Sequence, residues 1–124
     1  MLTMGAIGLA LAPAGGAEPA LPDALTAGWQ GKKVCELLHQ TATNRVLRCT
    51  FPPGVGHERH FHPAHFGYAL SGGRMRITTA EGTREVEIRR GSSFTSKGVP
   101  WHVGRTVGKT TVTYLMVEEQ ASAN

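Results

Sequence analysis

Gly54-Val-Gly-His57-Glu-Arg-His60-Phe-His62-Pro-Ala-His65-Phe-Gly-Tyr68 carries four of the six histidines in the chain. A fifth, His102, follows forty residues after His62 in Val99-Pro-Trp-His102-Val, and only His39 stands apart. Imidazole is the commonest protein ligand for borderline transition metals, and a metal site needs several imidazoles converging from different places. His60 and His62 are two residues apart, so a β-strand projects both rings from one face. A helix would turn them roughly 200° apart. The stretch therefore reads as strand, and as one wall of a metal site that a distant strand closes.

The chain has 124 residues, enough for one domain with a modest core. Sixteen glycines and seven prolines spread along it imply many turns and hence short strands. The net charge is +4. Its cations, however, (Arg74, Arg76, Arg84, Arg89, Arg90) are interleaved with Glu81, Glu85 and Glu87, as on the solvated faces of strands. No aromatic-rich basic motif accompanies them, so nucleic acid is not an expected partner.

Met4 to Ala12 is an uninterrupted apolar run followed by Pro13-Ala-Gly-Gly-Ala17. It is too short for a bilayer-spanning helix, which needs about twenty residues, so no membrane span is expected. The run matches the apolar centre of a secretory signal, with small residues at the cleavage positions but no basic leader before it. Residues 1–17 are therefore expected to be a signal peptide or a disordered leader, and residues 18–32 an N-terminal arm. A periplasmic or secreted location follows if the run is a signal. Cys35 and Cys49 flank a polar turn centred near Ala42, so a hairpin would set them almost opposite each other. A disulfide is then geometrically open in an oxidising compartment, and two small buried thiols are equally open.

From Lys33 onward, short β-rich segments alternate with turns. Lys33–Leu38 and Arg45–Phe51 form one candidate hairpin. Arg74–Thr79 and Arg84–Arg89, joined by Ala80-Glu-Gly82, form the clearest one. Further strands are expected at Glu58–His62, Phe66–Leu70, Ser93–Ser96, Gly98–Val103 and Thr110–Glu118. No segment after the leader shows sustained helical periodicity, so the fold class is all-β. So many strands in so few residues favour a small antiparallel barrel or double sheet, which hides its edges.

Two motifs then resemble the cupin superfamily. Gly54, five residues, His60-Phe-His62 and onward to Tyr68-Ala-Leu-Ser-Gly72 is similar to the first cupin motif. Gly91 followed eleven positions later by His102 is similar to the second. The resemblance implies a double-stranded β-helix of the jelly-roll type over residues 33–124, with His60, His62 and His102 as ligands of a divalent transition metal (Fe, Zn, Mn, Ni or Cu). His65 occupies the place of the usual glutamate, one residue nearer to His62 than that glutamate stands, and is expected as a fourth ligand. Lys97 and Val99 stand where proline and glycine are common, and Thr106 replaces a frequent asparagine.

His57 has the opposite strand parity from His60, which turns it away from the site, and His39 is expected at the surface. Glu58 shares the parity of His60 and His62, which makes it a candidate for an imidazole contact or for proton transfer, with Tyr68 as a second candidate catalytic group. If His65 faces inward, so do Gly67, Ala69 and Ser71, whose small size leaves room for a ligand. Phe66, Tyr68 and Leu70 then form an apolar outer face that needs cover, from a homodimer partner or from Leu21–Trp29. An all-imidazole site leaves the charge of a divalent ion uncompensated and favours a small anionic ligand or substrate.

Three functions fit these features. One is an oxidoreductase resembling the three-histidine dioxygenases of the superfamily. The second is a metal-dependent lyase or isomerase. The third is a non-enzymatic metal- or ligand-binding module.

Overall fold

Two antiparallel hairpins frame the molecule, and both follow from local chemistry. In the first, Cys35–Gln40 (β3) pairs with Asn44–Phe51 (β4), with Cys35 opposite Cys49 and Leu37 opposite Leu47. Thr41 closes its turn by accepting hydrogen bonds at Oγ1 from the backbone of Thr43 and Asn44. In the second, Gly73–Thr79 (β7) pairs with Gly82–Ile88 (β8) in unbroken register. Arg74 and Arg76 meet Glu85 and Glu87 on the outer face of that pair. Across strands, opposite charges at such positions are mutually stabilising and solvated.

The computed structural model describes residues 20–120, which contain no helix. The expected leader lies outside the described residues. The remaining elements are Gly28–Trp29 (β1), Lys32–Lys33 (β2), Gly56–His62 (β5), His65–Ser71 (β6), Ser93–Ser96 (β9), Val99–Thr106 (β10) and Val112–Glu119 (β11). One sheet has the order β9-β6-β11-β4-β3 and the other β5-β10-β7-β8, and β1 and β2 form a separate small hairpin. The expected all-β double sheet is therefore the observed one.

The inner faces of the two sheets enclose the core. Leu47, Cys49, Phe51, Met75, Val112 and Met116 are buried there, with Cys35 and Ala24. Strand parity explains most of this: along β11, Val112, Met116 and Glu118 are buried while the residues between them are less so. Cys35 and Cys49 form a disulfide within this core, with Cα atoms 4.0 Å apart. Of the two states open to these cysteines, the structure has the bonded one.

The N-terminal arm lies along β5 rather than over the outer apolar face. Asp23 bridges to Phe61, and Pro22 O accepts a hydrogen bond from the Phe61 amide. Phe66, Tyr68 and Leu70 remain 39, 38 and 41 % exposed. The space expected above Gly67 is also filled, because a Cβ there would collide with the Phe94 ring. Glycine at this position lets Phe94 lie flat on β6.

Candidate metal centre

β5 and β10 are antiparallel neighbours, with His60 opposite His102. The Nε2 atoms of His60 and His62 are 3.0 Å apart, those of His62 and His102 3.1 Å, and those of His60 and His102 3.0 Å. Among the described residues these three form the group whose ligand atoms converge to hold an ion.

The tautomers follow from the other ring nitrogens. Nδ1 of His60 lies 2.6 Å from Glu58 O, which can only accept, so that nitrogen carries the proton. Nδ1 of His62 donates likewise to the Glu118 carboxylate at 2.8 Å. With both rings neutral, as metal ligation requires, the two Nε2 lone pairs face each other at 3.0 Å. That repulsive arrangement is satisfied by a cation. An ion bound by imidazole nitrogens at roughly 2.0–2.1 Å brings them to about 3 to 3.4 Å of one another, and the observed spacing fits. Burial, followed by the neighbouring imidazoles, pushes His60 down to about 2 and His102 to about 3. Both are therefore neutral and ready to ligate.

Glu118 is the functional residue the sequence reading missed. Its side chain is fully buried. One carboxylate oxygen accepts from His62, and the other from Arg45, which also pairs with Asp23 of the arm at 2.7 Å. Burial alone would raise its carboxyl, but the bonds from His62 and Arg45 outweigh this and hold it below the ordinary glutamate range. A carboxylate on the far nitrogen of a ligating histidine fixes the ring and raises its basicity. The available signal was a glutamate at the inward parity of β11, aligned with Val112 and Met116.

The other sequence-derived candidates divide. His65 is buried, its ring 4.6 Å from that of His62, and its Nδ1 donates to Pro63 O. It lines the same cavity but is not in the set of three converging nitrogens. His57 corrects the parity expectation. β5 spans three residues from His57 to His60 where β10 spans two, from Gly104 to His102, and this bulge turns His57 inward. His57 is buried, stacks on His60 at 3.7 Å and donates from Nε2 to Ala24 O at 2.9 Å.

The same bulge turns Glu58 outward. Its carboxylate is exposed and accepts from the Gln30 amide at 2.8 Å, so it braces the β1–β2 turn rather than touching an imidazole. Gln30 has a positive φ of 52°, which that bond helps to hold. Tyr68 lies on the outer face of β6, outside the cavity lining, and His39 is exposed.

The histidines open into a cavity of 430 Å³ between the sheets. Met75, Ile77, Val86, Ile88 and Met116 make it largely apolar, and among the described residues no carboxylate lines it.

No protein-family model matches the chain, and no curated protein matches it. Solved structures do. A cupin domain from Bordetella pertussis Tohama I superposes with a TM-score of 0.67 at 20% identity, covering 84% of this chain and all of that one. A cupin superfamily protein from Desulfitobacterium hafniense DCB-2 gives 0.54 at 13% identity, covering 68% and 74%. The cupin-2 domain of an XRE family transcriptional regulator from Enterobacter cloacae gives 0.52 at 14% identity, covering 68% and 92%. The fold is that of a small cupin domain. Within it, three histidines are placed compatibly with metal binding.

Proposed function

We propose that His60, His62 and His102 hold a divalent transition metal, and that the adjoining cavity presents a small anionic ligand to it for chemistry of the oxygenase type. The observation that carries this is the convergence of three imidazole Nε2 atoms, those of His60, His62 and His102, within 3.0–3.1 Å of one another. When bound, the metal supplies Lewis acidity and positions for an anionic ligand and oxygen. The chain's own residues do the rest. Glu118 orients His62, and Glu58 O orients His60. The largely apolar lining lowers the local dielectric, which strengthens charge interactions inside. His65 stands beside the three ligands with its Nε2 free of the Pro63 contact.

A lyase or isomerase needs a proton-transfer base at the ligand. Glu58 and Tyr68, the two groups expected in that role, lie outside the cavity, which leaves His65 as the candidate base for that alternative. Oxygen uptake by the Fe(II)-loaded protein with a panel of β-diketones, thiols and catechols tests the activity. Turnover that persists without oxygen would move the assignment to a lyase. Tight metal retention with no turnover in either assay would leave a binding module.

We also propose an exported homodimer. The disulfide suits an oxidising compartment, and exposed Phe66, Tyr68 and Leu70 flank Leu115 on one outer face, an apolar surface of the kind that a partner covers.

A further inference from the structure

Arg84 is exposed, as expected of a solvated residue, but it lies on the cavity side of its strand. Along β8, Glu85 and Glu87 face outward to Arg74 and Arg76, while Arg84, Val86 and Ile88 line the cavity. Arg45, Arg48, Arg74 and Arg76 each pair with a carboxylate, whereas Arg84 has no acidic partner among the described residues. The register places it in one row across the sheet, Arg84 beside Ile77, Ile77 beside Gly104, and Gly104 beside His57. It therefore stands two strands, about 10 Å at the backbone, from the strand that carries His102.

Opposite, on β11, Tyr114 lines the same cavity and makes no side-chain hydrogen bond among the described residues. Burial pushes its phenol up to about 12, so it remains a donor without a protein acceptor. A cavity with an apolar floor, one exposed guanidinium without an acidic partner in its lining and one unpaired phenol on the opposite sheet has a defined complement. Resting on the metal-centre reading above, we propose that it takes an amphipathic carboxylate: an aryl or branched-aliphatic body on Met75, Ile77, Val86 and Ile88, its carboxylate on Arg84, and a second polar group that accepts from Tyr114.

The planar guanidinium fork matches a carboxylate in two parallel hydrogen bonds. A sugar or other polyol would bury hydroxyls against methyl groups without partners, which is costly.

The probes are hydrocinnamate and its neutral amide, titrated calorimetrically into the full chain, both metal-free and zinc-loaded. The carboxylate should bind about tenfold more tightly than the amide. Arg84→Gln should abolish that preference while leaving the affinity for the amide within roughly twofold, and Arg84→Lys should retain part of it. Tyr114→Phe should leave hydrocinnamate, which carries no second polar group, within roughly twofold; a larger loss would place its carboxylate on Tyr114 instead of Arg84 and overturn the proposal. Absence of preference in the wild type, its survival in Arg84→Gln, or failure of both probes to bind would overturn the proposal. Zinc stoichiometry on the same samples separates the two ideas. Preference without zinc binding sinks the metal centre alone, and zinc binding without preference sinks this proposal alone.

Discussion

Glu118 Oε2 lies 2.8 Å from His62 Nδ1, and this bond joins the last strand to the histidine at the centre of the cluster. Through Arg45 it continues to Asp23 of the N-terminal arm. The charge of an all-imidazole site is thus offset from behind: one carboxylate faces His62, shared with Arg45, rather than entering the ligand set. Glu118→Gln keeps the shape and removes the charge. It should lower metal affinity by about 10- to 100-fold, read by competition with a chelator indicator. Unchanged affinity in a folded variant would show that Glu118 serves packing only.

Acid should destabilise the metal-free protein. Burial, outweighing the bond to Ala24 O, pushes His57 down to about 4, below its ordinary value near 6.5. The unfolded chain therefore takes up the proton first. The stability this neutral ring contributes is complete above pH 6.5 and is lost as pH falls toward 4. Between pH 6.5 and 5 the loss is about 2 kcal/mol for His57 alone. Urea midpoints measured across that interval should fall with pH, and a flat profile would contradict the buried neutral state.

Reduction of Cys35–Cys49 should loosen the β3–β4 hairpin without dismantling the site. The bridge closes a loop of sequence separation 14, for which chain entropy gives about 3 kcal/mol. The melting temperature should drop in reductant, and Cys35→Ser/Cys49→Ser should reproduce the drop and become insensitive to reductant. Equal melting in both redox states would remove the disulfide from the account of stability.

The exposed face of β6 predicts self-association. Tyr68→Glu places a charge among Phe66, Leu70 and Leu115, and should shift the sedimentation of a dimer to that of a monomer. A wild-type chain that sediments as a monomer at all concentrations would contradict the dimer.

Much of this architecture is legible in the residues. Alternation in Arg74–Thr79 and Arg84–Arg89, joined through Ala80-Glu-Gly82, specifies the β7–β8 hairpin and its register. The spacing of His60, His62 and His102, taken with the two flanking glycine motifs, places the cluster. Parity failed at one point for a physical reason. A bulge between His57 and His60 adds one residue to β5 and exchanges the facings of His57 and Glu58, and nothing in single-residue propensity marks it. Glu118 and Arg84 were hidden differently. Each is an ordinary charged residue on an alternating strand, and only the pairing of sheets decides which side is inside. Gly67 read as empty space because its occupant, Phe94, comes from a different strand.

The central claim is that His60, His62 and His102 form a metal centre, and elemental analysis of protein purified without chelator tests it most directly. The account predicts about one divalent transition metal per chain in the wild type, lost in His60→Ala and in His102→Ala while the β-sheet circular dichroism is preserved. A wild-type chain without stoichiometric metal, even after incubation with Fe(II), Zn(II), Mn(II), Ni(II) or Cu(II), would contradict it, as would metal retained at full stoichiometry in both variants.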